Sequence, residues 1–394
     1  MRFSKRILEM DTSAVREVLA LTAKPDIISF AGGLPAPESF PVEDMRLAAD
    51  RVYRTNGQSA LQYGPSSGFL PLREKLVKRH RDQGIACTAD NFLIVSGSQQ
   101  GLDLAGKVFL EPGDLVVCEN PTYLAALTVF RSYECGILPI DTDDDGMVPE
   151  DLERKLAANP KARLMYLIPT FQNPTGRTWS LARRKAVLSI AERYGLPILE
   201  DNPYGELRYE GEFLPSLKSM DTTGIVTYMG SFSKVLSPGI RLGWLLASRE
   251  LIEKYESAKE CTDLQSSTIS QMVVDTYLEN NDLNENIARL NDLYRGRRDL
   301  MLSLLASEFP AEATWTHPHG GLFLWVTLPE SIDTTALLPA MVDRGVAYIP
   351  GQSFFAEQDV RCCLRLNFSN ASEEHLIRGM TAMGQLFRET LAKV

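Results

Sequence analysis

Ser231-Phe-Ser-Lys234, followed seven residues later by Arg241, is the segment whose residue types and spacing point most directly to chemistry. The β-branched and aromatic run Ile225 to Met229 reads as a buried strand, and Pro238-Gly239 reads as a turn between the two cations. Ser231, Ser233 and Arg241 together can hold an anion such as a phosphate, which leaves Lys234 free to react. A lysine beside a bound phosphate is what an enzyme needs to form a reversible carbon–nitrogen double bond with a phosphorylated aldehyde. The same residues also read as a strand followed by a surface loop with ordinary basic side chains. The segment alone does not separate the two.

The elements around it must place these groups. Phe92-Leu-Ile-Val-Ser runs into Gly-Ser-Gln-Gln and a helical stretch over 102–110. Leu115-Val-Val-Cys leads to Asn120-Pro-Thr-Tyr123, and Leu164-Met-Tyr-Leu-Ile leads to Asn173-Pro-Thr-Gly176 and a helix from about Ser180 to Tyr194. Leu196-Pro-Ile-Leu-Glu leads to Asp201-Asn-Pro-Tyr204. Short apolar strands alternating with helices predict an α/β fold, a mostly parallel sheet flanked by helices. Ligands of such sheets sit at the carboxyl ends of the strands, which is where each polar cluster falls.

After about Ser267 the pattern changes to a smaller α+β module. Asp282-Leu-Asn-Glu285 resembles a capping box before a long helix, strands are expected at 322–326, 346–349 and 363–368, and a closing helix at 373–391. The expected division is an N-terminal arm over 1–41, with one short helix at 13–21, then a large domain over 42–281 and a small C-terminal domain over 282–394. The arm is expected to pack on the small domain and the cleft.

Composition narrows the function. A net charge of −10 provides no basic field for nucleic acid or an anionic membrane, so phosphate or carboxylate ligands must be held by a few placed arginines. Six cysteines without a Cys-x-x-Cys pair fit buried thiols in a reducing compartment. Four histidines without a ligand-like cluster make a dedicated metal site unexpected. No apolar run approaches the ~20 residues of a membrane span, and the first ten residues lack the apolar core of a signal peptide. A cytoplasmic protein is expected. Gly101-Leu-Asp-Leu-Ala-Gly106-Lys107 approximates a phosphate-binding Walker loop, but it lacks the following Ser or Thr and lies within an apolar helical stretch.

Along nearly its full length the chain resembles the class I/II aminotransferases of pyridoxal phosphate (PLP) fold type I. The resemblance rests on Gly97-Ser-Gln99, Asn120-Pro-Thr-Tyr123, Asn173-Pro-Thr-Gly176, Asp201-Asn-Pro-Tyr204, Ser231-Phe-Ser-Lys234, Arg241 and Leu364-Arg-Leu366, in the family's order. Ser29-Phe-Ala-Gly-Gly-Leu-Pro-Ala-Pro and Gly230-Ser-Phe-Ser-Lys-Val-Leu-Ser-Pro-Gly are similar to the 2-aminoadipate/kynurenine aminotransferase subgroup. The resemblance implies PLP as cofactor, carried by Lys234, with Asp201 on the ring nitrogen, Asn173 and Tyr204 on the phenolate oxygen and Tyr123 stacked on the ring. It implies a phosphate cup of Ser98, Gln99, Ser231, Ser233 and Arg241, completed by Tyr63 from the second subunit of a homodimer. Arg365 would clamp the substrate carboxylate, with Gly32 or Gly33 approaching through backbone, and a cis peptide is expected at Asn173-Pro174. Arg16 would read an acidic side chain, its alternative being a solvated arginine beside Glu17. Leu34, Phe354 and Phe355 would form an apolar wall, or serve as ordinary core.

The reaction so implied is transfer of an α-amino group from glutamate, 2-aminoadipate, or an aromatic or aliphatic donor to a 2-oxo acid such as 2-oxoglutarate. Another PLP reaction on the same scaffold, β-elimination or decarboxylation, stays open. A non-enzymatic effector module of a transcription regulator is disfavoured by the acidic charge and by a chain that starts directly at the arm.

Overall fold

The computed structural model describes residues 1–9, 26–357 and 359–393; Arg16 and the helix expected at 13–21 lie outside them. Strand β1 (Ile28–Ser29) is followed by β2 (Phe92–Val95), β3 (Leu115–Asn120), β4 (Gly136–Asp143), β5 (Gly146–Met147), β6 (Ala162–Leu167), β7 (Ile198–Asp201), β8 (Val226–Ser231) and β9 (Gly243–Leu246). Strands β2 to β9 form one sheet in the order β2-β9-β8-β7-β6-β3-β4-β5. The run β8-β7-β6-β3-β4 is parallel, while β9 is antiparallel to both β8 and β2 and β5 is antiparallel to β4.

The apolar strands are continuous because both faces are covered. Val116, Leu164 and Tyr166 pack under Leu102, Leu127, Phe130 and Tyr255 on one side. Their neighbours Val117, Met165 and Leu167 pack under Leu152, Leu156, Val187 and Leu188 on the other. The two-residue alternation of strand side chains thus sorts one sequence into two cores.

Two expected helices need adjusting. The helix after β2 starts at Ser98 rather than 102 and runs to Phe109, with Gly97 as its N-cap at φ 80°. Its Gly101 and Gly106 are close-packing positions against Met229 and Tyr133, and Lys107 pairs with Asp103, so the Walker-like spacing is a helix-packing pattern. At Leu283–Glu308 the Asp282 side chain accepts from Asn284 N at 2.8 Å, but no reciprocal bond from Glu285 closes a capping box.

The C-terminal strands are β10 (Thr314–Trp315), β11 (Phe323–Thr327), β12 (Val346–Ala347), β13 (Ile349–Pro350) and β14 (Cys363–Asn367). An antiparallel sheet runs β10-β11-β14-β13, and β12 pairs in parallel with β1. The single strand expected at 346–349 is therefore two, each in a different sheet. Pro350 cannot donate a ladder hydrogen bond, which suits the edge position of β13. The closing helix Glu373–Leu391 buries Leu376, Met380, Met383 and Phe387, each contributing about 1.5–3 kcal/mol. It lies so close to Leu283–Glu308 that a Cβ on Gly384 would sit 2.2 Å from the Glu308 carbonyl oxygen.

Residues 28–36 bridge the parts of the molecule. Phe30 N–H donates to Ala347 O at 2.8 Å, and its carbonyl accepts from Asn367 N at 2.9 Å. Ala36 N–H donates to Tyr294 Oη at 3.0 Å. Among the described residues no helix is long and apolar enough to cross a membrane.

Candidate active site

Six strand ends converge on one edge of the large sheet. β7 delivers Asp201, β6 leads to Asn173, β3 to Tyr123, and β8 to Ser231 and Lys234. Because β9 runs antiparallel, its first residues also lie at this edge, which brings Arg241 beside the end of β8. The antiparallel pairing of β2 with β9 places Ser96–Ser98 at the same end.

On the phosphate side, Gly97 packs against the Arg241 guanidinium so closely that a Cβ would meet Nη2 at 2.4 Å. Arg241 itself has φ 53° and donates to Pro238 O at 3.2 Å and Ser96 O at 3.4 Å. Both acceptors are neutral carbonyls. Ser231 Oγ accepts from Ser233 N at 3.0 Å. Ser98 Oγ, in the first turn of its helix, is buried with no hydrogen-bond partner among the described residues. A hydroxyl without a partner, helix N–H groups and an arginine that among the described residues has no carboxylate form a cradle that fits a phosphate.

Asp201 is 3% exposed. Its Oδ2 accepts from the Tyr166 hydroxyl at 2.8 Å, while Oδ1 is buried without a partner. Burial pushes its carboxyl up to about 7, although the Tyr166 hydrogen bond opposes the shift. A lone acceptor in such a place fits a protonated ring nitrogen, whose positive charge would restore the carboxylate. Tyr204 is buried and lies near Asn173, Tyr123, Arg365 and Asp201; desolvation raises its phenol. Tyr123 feels the charges of Asp201, Arg365 and Arg241, with desolvation again the main cause of its raised phenol. The peptide Asn173-Pro174 is cis, as expected, and Asn120-Pro121 is cis as well.

Arg365 on β14 is 5% exposed. Its Nη1 donates to Asn173 Oδ1 at 2.8 Å and its Nη2 to Ala31 O at 2.5 Å, while Nε has no partner. The guanidinium carbon sits 4.2 Å from the Phe323 ring centroid and 5.0 Å from that of Phe354. No carboxylate within the described residues pairs with it, and burial lowers it to about 10. Lys234 Nζ donates to Gly33 O at 2.7 Å. Desolvation lowers its ammonium to about 8, assisted by repulsion from Arg365 and Arg241.

These contacts place Lys234, Asp201, Asn173, Tyr204, Tyr123, Arg365, Gly33, Ser98, Ser231, Ser233 and Arg241 around one edge of the large sheet. Gln99 follows Ser98 but is exposed. Tyr63 is 78% exposed, so it is not a buried loop aromatic. Phe354 is fully buried on the Arg365 guanidinium, and Leu34 is 55% exposed. Sequence reasoning missed Tyr166, which looks like any strand aromatic, the Ala31 carbonyl, and Phe323 beneath Arg365. None carries a local signal; each is recruited by chain segments far apart in sequence.

The family model for aminotransferase class I and II matches residues 25–382. The chain is 45% identical to aromatic-amino-acid aminotransferase 1 of Thermococcus litoralis, over 99% of this chain and 95% of that protein. It is 38% identical to the 2-aminoadipate transaminase of Thermus thermophilus, over 100% of this chain and 98% of that protein. The crystal structure of Pyrococcus horikoshii kynurenine aminotransferase in complex with PMP superposes with a TM-score of 0.94 at 44% identity, covering 99% of this chain and 97% of that one.

Proposed function

The chain belongs to the class I and II aminotransferases, PLP-dependent transaminases of fold type I, and we propose that its amino donors are glutamate, 2-aminoadipate and aromatic or aliphatic L-amino acids, with 2-oxoglutarate as acceptor. The observation that carries this reading is Arg365, a buried guanidinium whose acceptors among the described residues are neutral, beside the amine of Lys234: they donate to the Ala31 and Gly33 carbonyls of one segment. A planar fork without a carboxylate of its own is suited to the α-carboxylate that every amino acid and 2-oxo acid carries. The names of the relatives support aromatic and 2-aminoadipate donors.

When bound, PLP supplies an aldehyde that captures amines and a ring that takes up the electron pair released at the substrate Cα. The protein supplies the rest. Ser98, Ser231, Ser233 and Arg241 hold the phosphate, with Gln99 at the rim. Asp201 would keep the ring nitrogen protonated, Asn173 and Tyr204 would donate to the phenolate oxygen, and Tyr123 would cover one ring face. Lys234, its ammonium destabilised by burial, carries the proton between the two reacting carbons. Arg365 holds the α-carboxylate, and Gly33 lets backbone come close to it. We read Arg16 as the group facing an acidic substrate side chain.

The same reading divides the chain into an arm (1–41), a large domain (42–281) and a small domain (282–394), and makes it a cytoplasmic homodimer. Tyr63 would reach the neighbouring subunit's phosphate; its exposure supports this. A panel of amino donors against 2-oxoglutarate tests the substrate class. Glutamate, 2-aminoadipate and aromatic donors should all yield their 2-oxo acids. Eliminated or decarboxylated products in place of these would overturn the transamination reading.

Arg365→Met should raise KM for every donor and lower kcat/KM about 10–100-fold, the loss expected for a charge-assisted hydrogen-bonded pair. Removing this cation should also let the Lys234 amine rise above about 8, and because the base must be neutral to act, the acid-side limb of the pH profile should move upward. Steady-state kinetics across pH measure both effects. An unchanged KM would show that another group anchors the carboxylate.

A further inference from the structure

Behind the phosphate cradle lies a buried cation that has no part in the chemistry so far. Lys259, at the end of the helix Arg249–Glu260, has a fully buried side chain. Its Nζ donates to Gln100 Oε1 at 2.9 Å and to Asp263 Oδ1 at 2.7 Å. Gln100 Oε1 accepts a second hydrogen bond, from Ser96 N at 2.7 Å. Ser96 Oγ donates to Asp263 Oδ2 at 3.2 Å and lies 3.1 Å from Ser266 Oγ. Lys259, Asp263 and Gln100 therefore grip Ser96 at its amide and its hydroxyl, while its carbonyl accepts from Arg241.

The grip comes from a tight turn. Thr262, Asp263 and Leu264 all direct their N–H groups at the Lys259 carbonyl, at 2.8, 3.0 and 3.2 Å. Leu264 takes a left-handed conformation at φ 66°, which a leucine adopts only when its surroundings over-determine it. The next residue, Gln265, accepts from the Gly64 N–H beside Tyr63. One turn is thus tied both to the Ser96–Gly97–Ser98 segment and to the segment carrying Tyr63.

We infer that Lys259 and Asp263 are positioning residues for the cofactor phosphate: their ion pair sets the Ser96–Gln100 turn against Arg241 so that Ser98 Oγ and the helix N–H groups converge on the anion. This rests on the reading that Ser98 and Arg241 hold the phosphate. A buried lysine is costly unless paired and hydrogen-bonded. Here one partner, Gln100, lies on the turn that shapes the cradle and the other, Asp263, holds the Ser96 hydroxyl of that turn, so the charge specifies a backbone geometry. Neither residue touches the cofactor. Their effect should appear only for ligands that carry the phosphate.

The test compares PLP with phosphate-free pyridoxal on the full-length apoenzyme, reading dissociation constants from visible absorbance. Lys259→Met should weaken PLP about tenfold while leaving pyridoxal within about twofold. Asp263→Asn, on the half-exposed side of the pair, should shift PLP in the same direction and decides the matter if Lys259→Met does not fold. Lys259→Arg, which keeps the charge, should retain much of the selectivity. Wild-type ratios of PLP to pyridoxal affinity in both Lys259→Met and Asp263→Asn would overturn the proposal, as would equal weakening of both ligands, the mark of a merely structural role. Arg241→Gln separates the underlying reading. If it too leaves the ratio unchanged, the phosphate site is misassigned; if it lowers the ratio and the other two do not, only the positioning role fails.

Discussion

Lys234→Ala should yield a folded protein whose transaminase turnover has fallen by at least about 10⁴-fold, because in the proposed function one side chain supplies both the amine that carries the cofactor and the base at the substrate Cα. The fold should survive. Truncation removes one hydrogen bond, to the Gly33 carbonyl, whose net worth is about 1 kcal/mol. It also removes a burden. The native ammonium titrates near 8 instead of its ordinary 10.5, so between those values the unfolded chain binds more protons than the folded one. Stability of the wild-type apoenzyme should therefore rise with pH across that window. In Lys234→Ala this rise should vanish, and below pH 8 the variant should melt no lower than the wild type. Single-turnover kinetics and thermal melts at pH 7 and 10 check the two halves. Turnover within tenfold of wild type would move the reactive amine to another lysine.

The position of the proposed cofactor residues was legible because each lies at a strand end next to a turn residue, and local sequence reports strand ends well. Asp201, Asn173, Ser231 and Lys234 all follow short apolar runs, and the fold sets those runs side by side in one sheet. Strand order was not legible. Nothing in Gly243–Leu246 tells that it runs antiparallel between β8 and β2, yet this reversal is what sets Arg241 against Gly97. Pairing partners are a property of the whole sheet, and periodicity within one strand is blind to them.

The supporting groups were hidden for a related reason. Tyr166 lies in the middle of an apolar strand and is fully buried, as many core tyrosines are, but its hydroxyl reaches Asp201 across one strand spacing. Lys259 reads as a solvated helix lysine among Glu256 and Glu260, whereas its side chain turns inward. The Ala31 carbonyl, which accepts from Arg365, has no side-chain signature at all. Each acts through tertiary contacts more than thirty residues away in sequence. The strand expected at 346–349 failed on the same ground: a run of β-formers does not say that its two halves join different sheets.

Asp201→Asn isolates the charge proposed to face the ring nitrogen, since the amide keeps the carboxylate's shape and an oxygen for the Tyr166 hydroxyl. Removing one partner of a buried ion pair costs about 3–5 kcal/mol, so kcat/KM should fall roughly 10²–10³-fold or more. Without a cationic partner the same charge is a liability. Burial raises the carboxyl from an ordinary 3.8 to about 7, so the folded apoenzyme binds more protons than the unfolded chain between those values. The sign follows: stability present below pH 3.8 is lost as pH rises through about 7. Asp201→Asn apoenzyme should therefore melt higher than wild type at pH 8, with the gap closing towards pH 4, while in the holoenzyme the order should reverse because only the wild type gains the ion pair. Calorimetry of both forms at the two pH values reads this crossing directly. A difference that is flat with pH in the apoenzyme, or kcat/KM within a factor of a few of wild type, would mean that the unpartnered Oδ1 faces something other than a protonated ring.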